Sequence, residues 1–257
     1  MIGPTPLLDF FKRGEVARDV RLLAAQGALA PRAYEQLSIL VLLVEDPDPE
    51  IRTTADETIG RIPREALMAF LATPDVPVGL REFFGDRGIF PSDTPAFPSD
   101  EALIDTSSFS DEALADDDRE TSVQKLARMS FPERLNAAVK GNREMRAILI
   151  RDPNKLIAAS VLSSPKVAEA EVESFARMAT VSEDVLRIIG ANRTWLKNYG
   201  IVSGLTKNPK TPLALSLNLM NRLNGRDLQM LSVDRNVAEP LRIAARKRVV
   251  ANISGHN

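Results

Sequence analysis

The sequence contains no cysteine and only one histidine, His256, next to its last residue. Disulfides, thiolate metal sites and cysteine nucleophiles are thereby excluded, and neither a histidine-based triad nor a His-rich metal site is expected in the folded body. Aromatic residues are scarce: one Trp, two Tyr and ten Phe make up 5% of 257 residues. Leu, Ile, Val and Ala must therefore carry the core, which suits helices packed closely through small side chains. Long apolar runs are also missing. The most apolar stretch, Leu37 to Val44, is far short of the roughly 20 residues a membrane span needs. The chain opens without a basic segment ahead of an apolar one, so no secretory leader is expected and the cytoplasm is the expected location. Neither nucleotide-binding glycine fingerprint is present: Lys140-Gly141-Asn142 and Val202-Ser203-Gly204 lack the spacing. Asp46-Pro47-Asp48-Pro49-Glu50 lacks the central Gly and distal Glu of a calcium loop. No cofactor, metal or small-molecule substrate is expected.

Charge is present in both signs but is unevenly placed. The net −2 divides into −4 over residues 1–87, −9 over 88–120 and +11 over 121–257. The middle stretch, rich in Pro, Ser and Asp, has no sustained apolar period and is expected to be a disordered acidic linker. It holds a small repeat, Ser99-Asp-Glu-Ala-Leu103 and Ser110-Asp-Glu-Ala-Leu114, each preceded by a Phe. Each Ser can cap one helical turn. The repeat is either part of an acidic tether or a pair of docking motifs in which Leu103 and Leu114 seat in gaps between helices.

On either side the pattern is helical. Residues 1–87 form an expected N-terminal lobe, in which helices stop at Asp46-Pro47 and Thr73-Pro74 because Pro disfavours helix at the residue before it. Residues 121–250 form an expected basic C-terminal lobe, and 251–257 a frayed tail. Within it Ser130-Phe131-Pro132-Glu133 has the pattern of a capping box, and Ser182 precedes a further helix. Leu213, Leu217 and Met220 fall on one expected buried face.

Loop chemistry recurs: Thr73-Pro74-Asp75-Val76, Ser164-Pro165-Lys166-Val167 and Asn208-Pro209-Lys210-Thr211 place a small polar residue before Pro and a β-branched residue two positions after it. Pro165 and Pro209 are 44 residues apart, and Leu186, Ile189 and Arg193 realign with Leu228, Leu231 and Arg235 at a spacing of 42. A unit of that length holds about three short helices. On these residues the chain resembles the HEAT/armadillo superfamily, and DPNKLIAASVLSSPKV and KNPKTPLALSLNLMNRL resemble leucine-rich-repeat-variant sequences. The resemblance implies an all-α, right-handed solenoid in two lobes, with an inner face that binds macromolecules. The cysteines that hold an iron–sulfur cluster in that variant are absent, so this feature does not follow. The resemblance supplies no catalytic residue.

The candidate binding residues are the cations of the basic lobe: Arg143, Arg146 and Arg151; Arg193, Lys197, Lys207 and Lys210; and Arg242 and Arg246, one turn apart on a shared face. A ridge of such residues attracts phosphates or acidic proteins. The carboxylate pairs Glu171/Glu173 and Glu144/Asp152 read as solvated helix surface, and Trp195, flanked by Lys197 and Tyr199, reads as core. No catalytic constellation is recognisable, and an enzyme is not expected. Two functions stay open: an adaptor that binds another, acidic protein through the groove of residues 121–250, and a nucleic-acid-binding protein that uses the same basic lobe.

Overall fold

A computed structural model describes residues 6–29, 32–93, 103 and 121–254, with side chains to residue 251. The described residues form sixteen α-helices and one 3-10 turn, with no strand. Leu114, most of the expected linker and residues 255–257 lie outside the described residues.

Contacts divide the chain into two compact units, residues 1–146 with 160–166, and residues 147–159 with 167–257. The division does not fall at the acidic stretch 88–120, where the sequence places the boundary. Helices of residues 121–146 group with the N-terminal ones.

In unit one the N-terminal helices are α1 (Pro6–Lys12), α2 (Arg18–Ala25), α3 (Ala33–Leu43), α4 (Pro49–Arg61), α5 (Arg64–Leu71) and α6 (Val78–Asp86). α3 packs against α1, α2, α4 and α6. That central position follows from its sequence, AYEQLSILVLL, in which Ala33, Leu37, Ile39, Leu40 and Leu43 are all buried and need cover on more than one side. α2 ends in a Schellman motif: Gly27 takes φ +84°, and the Ala28 amide reaches back to the Leu23 carbonyl at 3.2 Å. The loop before α4 is a chain of aspartate turns. Asp46 accepts the Asp48 amide at 2.9 Å, and Asp48 accepts that of Glu50 at 3.0 Å ahead of Pro49. Arg18 on α2 clamps the start of α4, at 2.7 Å from Asp48 and 2.5 Å from Glu50. That guanidinium holds the Asp48 carboxyl below its ordinary range. Unit one also takes in α7 (Ser122–Arg128), α8 (Phe131–Lys140) and most of α9 (Arg143–Leu149).

After α10 (Lys155–Val161), the helices of unit two are α11 (Glu169–Arg177), α12 (Glu183–Ala191), α13 (Tyr199–Lys207), α14 (Leu213–Met220), α15 (Gly225–Val233) and α16 (Glu239–Ser254). The 3-10 turn, Trp195–Lys197, lies between α12 and α13. α13 is the hub: it packs against α11, α12, α14 and the turn. Small residues permit this. A Cβ on Gly200 would overlap the Glu173 carboxylate, and one on Gly204 would lie 3.0 Å from the Arg177 side chain, both on α11. α16 runs through Ser254, into the stretch expected to fray.

Two of the three recurring loops, at Ser164 and Asn208, share one device with three further loops, whereas the Thr73 hydroxyl of the third has no hydrogen-bond partner among the described residues. Asn208 accepts the Lys210 amide at 3.0 Å, Asp152 that of Asn154 at 2.8 Å, Asn192 that of Thr194 at 2.9 Å and Asp234 that of Asn236 at 2.9 Å. Ser164 does the same for Lys166 at 3.3 Å. Each short polar side chain mimics a backbone turn and stops the preceding helix. The 42-residue alignment is matched in burial, since Leu186, Ile189, Leu228 and Leu231 are all interior.

Candidate functional site

The charge that distinguishes unit two is concentrated late in the chain: residues 193–254 hold eleven Lys/Arg and three Asp/Glu, a net +8. One of the three acids is consumed internally. Asp227, in the first turn of α15, lies 2.5 Å from the Lys207 ammonium and also accepts the Tyr199 hydroxyl. Lys207 first, then Tyr199, hold the Asp227 carboxyl below its ordinary range. Burial, and secondly the bond to Asp227, push the Tyr199 phenol up.

This network is one side of a braced platform. Asn192 caps the 3-10 turn through the Thr194 and Trp195 amides, at 2.9 and 3.3 Å. Asn198 caps α13 through the Gly200 amide at 2.8 Å. Asn224 caps α15 through the Asp227 amide at 2.8 Å, and its own amide donates to the Tyr199 oxygen at 3.2 Å. Arg222 donates to the Leu196 carbonyl at 2.5 Å. The loop before α15 is thus bonded at two points to the stretch that contains Trp195.

On the platform, cations and aromatics alternate as Arg193, Trp195, Lys197 and Tyr199. Both cations are exposed, Trp195 is half-buried and Tyr199 is 42% exposed. Arg226 stands exposed beside Asn224. Among the described residues no carboxylate lies within ion-pair distance of Arg193, Lys197 or Arg226. Trp195 is therefore not the core residue that its solitary place in the sequence implies.

The other expected binding residues separate into groups. Arg143 is exposed in unit one. Arg146, expected on the partner face, is instead 4% exposed and donates to the carbonyls of Gly141 and Lys166, at 2.9 and 3.3 Å. A guanidinium with a long stem reaches across a loop from inside and ties it down. Arg151 bonds back to the Ala147 carbonyl at 3.1 Å. Lys207 is engaged by Asp227. Lys210 is exposed beyond the far end of α13, about 13 Å from the Tyr199 end at 1.5 Å per residue. Arg246 is exposed but gives its Nε to the Ser232 carbonyl at 2.9 Å, and Arg242 is half-buried. Arg146, Lys207 and Arg246 are thus engaged internally, whereas Arg193 and Lys197 are exposed close together in sequence. Leu103 is held elsewhere: its amide donates to the Gln36 side chain of α3 at 2.9 Å.

Arg226, Arg222, Asn224 and Asp227 were not singled out from the sequence. Only the N-cap pattern Asn224-Gly-Arg-Asp227 announced part of this group; the Tyr199–Asp227 bond joins residues 28 apart and has no local signal. Among the described residues no group of three or more His, Cys, Asp or Glu is placed to hold a metal ion, and no helix is long and apolar enough to cross a membrane. No protein-family model, curated protein or solved structure matches the chain.

Proposed function

We propose that the protein is a non-enzymatic adaptor, a right-handed stack of HEAT/armadillo-like helical repeats, that docks an acidic partner protein on the Arg193–Tyr199 platform. The alternation of unpaired cations with accessible Trp and Tyr on a braced scaffold carries this reading. Trp, Tyr and Arg are the residues that dominate binding energy at protein interfaces, and they act best on a surface fixed beforehand. The exposed apolar side chains of α15 and α16 favour a protein over a phosphate backbone. Met230 and Val233 share a face with Arg226, and Ile243 and Val250, two turns apart, flank Arg246 and Lys247. Such a mixed surface fits a segment with both carboxylates and apolar residues.

A second reading, nucleic-acid binding, is favoured by the net +8 of residues 193–254 and by aromatic rings on which bases can stack. The single tryptophan lies on the platform, so its fluorescence reports occupancy directly. Titration with an acidic, leucine-containing peptide and with a single-stranded oligonucleotide of equal charge separates the readings. The adaptor reading expects a peptide-dependent Trp195 signal that the double variant Arg193→Glu/Lys197→Glu weakens by about tenfold, a few times the effect of one exposed charge pair. Tighter binding of the oligonucleotide, with a steep salt dependence, transfers the platform to nucleic acid. No signal from either ligand sinks both readings.

A further inference from the structure

Two pairs of helices in unit two are built to one pattern. Ser182 caps α12 through the Val185 amide, and Asn192 accepts the Thr194 amide where that helix stops. Asn224 caps α15 through the Asp227 amide, and Asp234 accepts the Asn236 amide, so each bond recurs 42 positions later. The helices that follow also correspond. The Val202 amide opens α13 on the Asn198 carbonyl, and the Arg242 amide opens α16 on the Ala238 carbonyl, 40 positions later. Their cover differs. α13 packs against α11, α12 and α14, and every residue from Ile201 to Thr206 is buried. α16 packs against α14 and α15, the counterparts of α11 and α12. At the positions that match Ser203 and Thr206 it carries Ile243, 44% exposed, and Arg246, also exposed. Val250, 62% exposed, lies two turns beyond Ile243 on the same stripe. By elimination, the open side of α16 corresponds to the side of α13 that α14 covers.

Length and charge say what fits there. Ile243 to Val250 spans about 10 Å at 1.5 Å per residue, and α14 is itself only eight residues long. Val233, 68% exposed at the end of α15, borders the stripe, because Arg246 bonds to the adjoining Ser232 carbonyl. The charge beside it is of one sign. α16 carries Arg242, Arg246, Lys247 and Arg248 against a single carboxylate, Glu239 in its first turn. We propose that this outer stripe of α16 docks one short amphipathic helix of a partner protein, seated as α14 is seated on α13. Leucine-like side chains of that helix meet Ile243 and Val250, and its carboxylates face Arg246 and Lys247. Apolar contact then supplies the affinity, while the cations select an acidic helix and fix its orientation. The proposal rests on the adaptor reading only in taking the occupant to be a protein, and it uses none of the platform's residues.

Fluorescence anisotropy with the full chain tests the assignment. The probe is a labelled peptide of about 14 residues of Ala, Leu and Glu, with Leu at helical spacing and Glu beside it, because shorter helices are marginal in water. A second peptide has the same composition with the leucine period scrambled. The first is expected to bind at least about tenfold more tightly than the second. Ile243→Asp/Val250→Asp is expected to weaken the first peptide by about tenfold or more, and Lys247→Glu by about threefold, less so at high salt. Equal binding of the two peptides, or binding that the double variant does not weaken, overturns the proposal. Should a variant lose helical circular dichroism, the methyl resonances of Ile243 and Val250 in the unaltered chain decide. Shifts there on peptide addition, with those of buried Ile189 and Ile201 unmoved, support the site; unmoved Ile243 and Val250 overturn it. At high salt, Arg193→Glu/Lys197→Glu is expected to change peptide binding by less than about twofold. Loss of binding in that variant places the peptide on the platform and overturns the proposal. Phosphatidylserine vesicles, and the chain alone at rising concentration, probe the other occupants. Vesicle binding or self-association that Ile243→Asp/Val250→Asp abolishes, with no peptide bound, assigns the stripe to a lipid surface or a second copy and overturns the proposal.

Discussion

Arginine side chains in this protein repeatedly end on carbonyl oxygens. Arg81 donates to Leu71 and Thr73 at the end of α5, Arg52 to Asp46 and Pro47, Arg222 to Leu196 and Arg246 to Ser232. Helix ends leave carbonyls without intrahelical partners, and a guanidinium has several donors to satisfy them. This explains why a count of cations located the basic half but misjudged Arg146, whose charge is used inside. Arg193, which follows the turn-forming Asn192, is by contrast exposed. At the same scale, Asp227 carries a testable consequence. Its pKa is lowered in the folded protein, so its contribution is complete above the ordinary carboxylate value and is lost as pH falls through the lower folded value. Asp227→Asn leaves Lys207 without its carboxylate and is expected to cost about 1–2 kcal/mol near neutral pH, discounted for the partial exposure of Lys207. Denaturant titrations of both proteins should show a constant gap above about pH 5 that closes below about pH 4. A gap that is the same at pH 3 and pH 7 would show that the ion pair is not its source.

Helices declared themselves through their boundaries more readily than through their buried faces. Ser182 caps α12 through the Val185 amide as its position implies, and Glu133 accepts both the amide and the hydroxyl of Ser130 at 2.6 and 2.7 Å. Facing is different where a helix is apolar almost all round. In α14, LALSLNLM, the 3.6-residue period has little polar contrast to act on, and the expected face of Leu213, Leu217 and Met220 is rotated. Leu213 is 38% exposed and Leu217 half-buried, whereas Ser216, Leu219 and Met220 are inside. Leu215 is turned towards α12, where its methyls occupy the place a Cβ would take on Gly190. That glycine is the partner that sets the rotation, and it lies on another helix. Leu219→Ala is accordingly expected to cost about 2–5 kcal/mol, and Leu217→Ala about 1–2 kcal/mol because less of its side chain is removed from water. Equilibrium unfolding of the pair checks the register. A larger loss at Leu217 than at Leu219 would restore the face expected from periodicity.

At the scale of the whole chain, composition announced an all-helical protein with a displaced charge balance and a break at residues 88–120, whereas contacts divide the compact units near residues 146–167. Residues 88–120 are the obvious break in hydropathy, and a break in composition is easily taken for a break in packing. Packing instead joins residues 121–146 and 160–166 to the N-terminal helices. Leu126 in α7 and Leu135, Ala138 and Val139 in α8 are interior residues of that unit. No local pattern records this, because an amphipathic helix shows that it must be covered and not by which neighbour. The fragment 121–257 tests the difference. Were the chain divided at the acidic stretch, this fragment would hold a complete core and unfold as cooperatively as the full chain. With the division observed, the cut strips α7 and α8 of the rest of their unit and exposes these apolar side chains to water. The fragment is expected to bind a hydrophobic dye and to lose protection from exchange in residues 122–140. The helices from α11 to α16 should keep theirs, because the contacts of α13 with α11, α12 and α14 lie wholly within the fragment. Full protection across residues 122–140 in the isolated fragment would return the boundary to the acidic stretch.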